Sequence, residues 1–128
     1  MGKEVHTNRA PMAIGPYSQA YQVGSFLFTS GQIPLTPAGE IINGNIIEQT
    51  HQAFNNLRAV LEGGGACLND VVKVTVFITN LNEFTKINEV YASYFGDHRP
   101  ALSCVEVSRF PKDVAIELEA IAFLSNNR

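Results

Sequence analysis

Two stretches of this chain carry helical periodicity, and each carries a single apolar stripe. In the first, Ile47, Thr50, Phe54, Leu57 and Leu61 fall at spacings of 3 and 4, and Gly63-Gly64-Gly65 ends the pattern. In the second, from about Asn82 to Phe95, the stripe is Phe84, Ile87, Tyr91 and Tyr94, with Asn80 or Asn82 as the cap. A helix with one apolar stripe buries one side. Two such helices cover one face of a sheet and leave the other without a helical layer. What occupies that second face is the question the sequence poses.

The strands follow from period-2 alternation. YSQAYQV, Gly24-Ser25 and FLFTSGQ read as a hairpin with a two-residue type II′ turn. IPLTPAGEIINGN is a loop, extended at most over Glu40 to Ile42. VVKVTVFIT, residues 71–79, is the clearest strand, with Val72, Val74, Val76 and Ile78 on one face. ALSCVEVSRF and VAIELEAIAF, separated by a turn at Pro111-Lys112-Asp113, read as adjacent strands. The order ββ-α-β-α-ββ predicts one α+β domain over 1–128, a mixed sheet with both helices on one face.

Alternation places Glu117 and Glu119 on one side of their strand and Val114, Ile116, Leu118 and Ala120 on the other. The face away from the helices also receives Thr75 and Phe77, a mixture neither core-like nor freely solvated. Such a surface is a candidate interface between copies, and a second subunit would partly bury the two glutamates.

Composition narrows the functional classes. A formal charge of −3 without a Lys/Arg run argues against nucleic acid as partner. No apolar run is long enough to cross a bilayer, and MGKEVHTNRAPMAIGP is too polar for a secretory core, so a cytoplasmic protein is expected. Cys67 and Cys104 are then free thiols. His6, His51 and His98 lack ligand spacing, so no metal site is expected.

Five blocks resemble a known family. IGPYSQA (14–20), TSGQIPL (29–35), INEVYASYF (87–95), SCVEV (103–107) and PKDVAIELEAIA (111–122) are similar, in order and spacing, to the reactive intermediate deaminase family, Rid, also called YjgF. The resemblance implies a chorismate-mutase-like fold of the bacillus type, a homotrimer with clefts between subunits, and no cofactor. It implies hydrolysis of enamines and imines of the 2-iminobutanoate/2-iminopropanoate class to 2-oxo acids and ammonia.

Carried over by position, the resemblance makes Glu117 the acidic residue that holds the attacking water. Cys104 becomes the cleft-lining cysteine, Tyr17 the tyrosine of the GPY block, Ser30 and Gly31 the SG that contacts ligand, and Asn88 the asparagine of the second helix. One position departs. Members active on amino-acid-derived imines usually read PARSCVEV, whereas this chain reads PALSCVEV, so Leu102 stands where the carboxylate-binding arginine is expected. Arg99 lies three residues upstream beyond Pro100 and does not substitute.

Each residue has a plainer alternative. Glu117 is either an exposed strand carboxylate or a general base whose pKa partial burial raises. Glu119 is the lesser candidate; about 7 Å along the strand, its charge also raises a neighbour's pKa. Cys104 is a pocket wall more than a nucleophile, because no histidine partner is evident. Tyr17 is a hydrogen-bond donor or an interface aromatic, and Asn88 a surface amide or a subunit contact. Ser30-Gly31 acts through its backbone, glycine permitting close approach. Because of Leu102, two functions stand: an imine deaminase with altered carboxylate recognition, or a non-catalytic metabolite-binding or regulatory protein on the same trimer.

Overall fold

The computed structural model describes residues 2–125. Among them the chain forms six strands and two α-helices: β1 (Lys3–Val5), β2 (Ala20–Val23), β3 (Phe26–Thr29), α1 (Ile46–Gly63), β4 (Val71–Ile78), α2 (Phe84–Phe95), β5 (Ala101–Glu106) and β6 (Ile116–Phe123). They make one mixed sheet in the order β1-β2-β3-β6-β4-β5, parallel only between β4 and β5. A parallel pair needs a crossover, and α2 supplies it.

The local signals act as their chemistry dictates. Gly24 has φ 58° in the β2–β3 turn and Ser25 stays out of the left-handed region, as a type II′ turn requires. The Asn45 side chain accepts from the Glu48 amide, and the Glu48 carboxylate accepts from the Asn45 amide, which closes a capping box on α1. Asn80 caps the short 3₁₀ turn that leads into α2.

Both helices lie on one face of the sheet. Phe54, Leu57 and Leu61 of α1 and Ile87 of α2 are buried against Val74, Val76, Ile116 and Leu118. Phe54 is the hub: its ring stacks on Tyr94 at 4.6 Å and meets Tyr91 and Phe95 edge-on. No described element covers the other face, where Tyr21, Val23, Phe26, Phe28, Val105 and Phe123 remain exposed.

Four details differ from the sequence reading. β5 and β6 are not neighbours; β4 lies between them, because β5 returns through α2 to extend β4 in parallel. Adjacency in sequence predicts adjacency in a sheet only about two-thirds of the time. The face of β4 breaks at its start: a bulge between Val71 and Lys73 buries Val71 and turns Val72 outward, 44% exposed. On α1, Ile46 packs against the core while Ile47 is exposed. β1, which no sequence pattern announces, adds an edge strand beside β2.

Candidate functional site

β6 positions the acidic pair. Glu117 lies opposite Phe77 of β4 and Glu119 opposite Thr75, so both carboxylates leave the face that the helices do not cover. The loop after β3 closes on the same strand. The Gln32 amide donates to the Leu118 carbonyl at 2.7 Å, and the Leu118 amide donates back to Gln32 at 3.0 Å. This two-way bridge holds Ser30 and Gly31 beside Glu117.

The result is a cleft of about 110 Å³. Glu117, Ser30, Gly31 and Tyr17 line it, with Met12 and Ile14 from the preceding segment and Pro111 from the turn before β6. Met12, Ile14 and Tyr17 are exposed at 69%, 67% and 54%, so one wall is apolar and open. Among the described residues, no lysine, arginine or histidine lines the cleft.

Glu117 is half-buried, and no described donor reaches its carboxylate. Burial pushes its pKa above the usual carboxylate value, and the charge of Glu119 on the same face adds to the rise. A carboxylate in that condition retains its affinity for protons and leaves its oxygens free to hold water.

Buried amides support the walls, and the sequence reading missed them. Gln19, 3% exposed, accepts from the Thr7 amide and donates to the carbonyls of Thr7, Ala10 and Pro11. It fastens the start of the open wall to β2. Asn56 on α1, fully buried, donates to the carbonyls of Ile33 and Leu35. The available signal was an amide set between apolar neighbours on a helix that buries one side. Ser30 is oriented likewise, its hydroxyl donating to the Ser18 carbonyl.

The other expected site residues lie elsewhere in the chain. Leu102 and Cys104 pair with Val74 and Val76, on the helix side of β5 at the sheet edge, the face opposite Glu117. Leu102 is 37% exposed, while Cys104 packs against the core and burial raises its thiol pKa. Asn88 is exposed on α2. Arg99 is turned to the carbonyls of Gly96 and His98 just past the end of α2. A single chain therefore joins Tyr17, Ser30, Gly31 and Glu117, and does not join them to Asn88, Leu102 or Cys104.

Comparisons with known proteins agree on the family. A family model described as Endoribonuclease L-PSP matches residues 7–124. A RutC family protein of Pyrococcus abyssi is 59% identical over 125 residues, 96% of this chain and 98% of that protein. The 2-iminobutanoate/2-iminopropanoate deaminase of Escherichia coli K12 is 45% identical over 125 residues, covering 95% and 98%. Among solved structures, Escherichia coli TdcF with bound serine superposes with a TM-score of 0.91 at 48% identity, covering 96% of this chain and 99% of that one.

Proposed function

The chain belongs to the Rid (YjgF) family, and on that premise we propose that it is a hydrolytic deaminase of reactive imines, with altered recognition of the substrate carboxylate. The observation that carries this reading is Glu117: a half-buried carboxylate with a raised pKa, free of described donors, at a cleft of small-metabolite size. The relative named as a 2-iminobutanoate/2-iminopropanoate deaminase supplies the substrate class.

The chemistry follows from the group. Water is a weak nucleophile, and the Glu117 carboxylate takes its proton as the oxygen adds to the imine carbon. The C=N bond becomes a C–N single bond, and Glu117 passes the proton it took to the nitrogen. In the carbinolamine the carboxylate takes the hydroxyl proton and passes it likewise to the nitrogen; the C=O bond forms as the C–N bond breaks, and ammonia departs from a 2-oxo acid. Glu117 ends as the carboxylate it began, so no cofactor is consumed. Its raised pKa brings base strength closer to working pH.

A homotrimer with clefts between subunits belongs to the same proposal. The exposed aromatics of the helix-free face support association, and a second copy is the natural source for Leu102 and Cys104 beside Glu117. Leu102 then contributes an apolar contact in place of a bidentate guanidinium. A hydrogen bond to a charged group is worth about 1.5–3 kcal/mol, so Leu102→Arg should tighten 2-imino acid binding by roughly tenfold to more than a hundredfold. RNA cleavage, named in the family description, finds less support, because among the described residues no lysine, arginine or histidine lines the cleft, where phosphates need cations.

Leu102 also favours the second reading, a metabolite-binding or regulatory protein without turnover. One assay separates them. A dehydratase generates the imine from serine or threonine, and 2-oxo acid formation is followed with and without the protein. Acceleration by the protein, enhanced by Leu102→Arg and lost in Glu117→Gln, supports the deaminase. No acceleration by either the natural chain or Leu102→Arg, together with calorimetric binding of a 2-oxo acid, establishes the second reading.

A further inference from the structure

Gly31 meets Glu117 more closely than any side chain would permit. A Cβ built on Gly31 would lie 2.1 Å from Glu117 Oε2, 2.5 Å from Cδ and 2.9 Å from Cγ. All three nearest atoms belong to that one side chain. The backbone of Gly31 is outside the left-handed region, so alanine fits its φ, and the nearest obstacle is the Glu117 side chain. The approach is fixed from both sides, because Gln32 and Leu118, the residues that follow Gly31 and Glu117, exchange amide–carbonyl bonds.

We propose that Gly31 is a positioning residue: its missing side chain forms the seat across which the Glu117 carboxylate lies, and so sets where that carboxylate meets the cleft. This deepens the reading of Glu117 as the base and rests on it for its catalytic consequence; the seat itself does not. Without the seat the carboxylate swings toward solvent. It then loses the burial that holds its proton affinity up and its place beside the reacting carbon. A displacement of about 1 Å costs on the order of a hundredfold in rate. The groups that face Glu117 are Glu119 from β6 and Tyr17 from the cleft wall. Lys73 of β4, bonded to Ser103, lies further along the same face.

The test is Gly31→Ala, read by carbon-13 NMR titration of the Glu117 side chain and by imine turnover. The titration midpoint should fall toward the ordinary carboxylate value, and kcat should drop about a hundredfold with KM little changed. In a Glu117→Gln background, adding Gly31→Ala should cost no further rate. An unmoved midpoint overturns the proposal, and so does an equal loss of rate in the Glu117→Gln background, which would mark Gly31 as a direct substrate contact. Should Gly31→Ala fail to fold, Gly31→Ala with Glu117→Ala removes the collision; failure of that double variant as well overturns the seat. If the natural chain turns over no imine, the deaminase reading fails while the titration still decides the seat.

Discussion

On the helix side of β6, Ile116, Leu118, Ala120 and Ala122 are at most 3% exposed. On its other side, Glu117, Glu119 and Ile121 are half-buried, and Phe123 is 47% exposed. The same eight-residue strand therefore serves two surfaces. The covered side is filled by α1 and α2 and holds the fold together. The helix-free side carries the acidic pair at one end and Phe26, Phe28 and Phe123 at the other, with the Phe26 and Phe123 rings 5.2 Å apart edge-on. The difference shows how one strand separates stability from chemistry. Side chains on opposite faces share a backbone but few contacts, so changes on one face leave the other largely unaffected.

Substitutions on the two faces should thus fail in different assays. Glu117→Gln should lower imine turnover by about 10²–10⁴-fold, the usual contribution of a positioned acid–base group, while thermal unfolding stays cooperative. The sign of its stability effect is set by the raised pKa. Ionised Glu117 costs stability at neutral pH, and that cost vanishes as pH falls through the raised pKa to the ordinary carboxylate value. Glu117→Gln should therefore be at least as stable as the natural chain at pH 7, with the advantage shrinking toward pH 4. A loss of stability at pH 7 would place the carboxylate in a structural pairing.

Phe54→Ala strikes the covered face. With its ring fully buried among three aromatic partners, it should cost about 3–5 kcal/mol in denaturant unfolding. Phe28→Asp, on a residue 44% exposed on the helix-free face, should leave the unfolding of the single chain nearly unchanged. It should weaken self-association at least about tenfold in sedimentation. A Phe28→Asp protein as assembled as the natural chain would remove that face from any interface. The smallest effect belongs to Arg9→Ala. Its ion pair with Glu62 is exposed on both sides, and such pairs contribute about 0–1 kcal/mol; a larger loss in thermal melting would mean that the N-terminal segment depends on it.

Much of the site was legible because strand alternation is local. Two glutamates at i and i+2 between buried aliphatics place both carboxylates on one face whatever the tertiary context, and the register with β4 bears this out. Likewise, two single-stripe helices imply a face without helices. Gln19 and Asn56 were missed because a buried amide looks like a surface amide until the carbonyls it meets are known. The bulge at Val71–Lys73 was missed because one extra residue leaves the composition of a strand unchanged.

The sequence by itself determined the two helices, the strands that carry alternation and the shared face of Glu117 and Glu119, since each depends on periodicity within a few residues of chain. Only the tertiary structure decided that β4 separates β5 from β6, that Leu102 and Cys104 lie across the sheet from Glu117, and that Gly31 lies under its carboxylate. Those relations join residues far apart in sequence, and they are set by how strands pair and helices cross over, which periodicity along the chain does not encode.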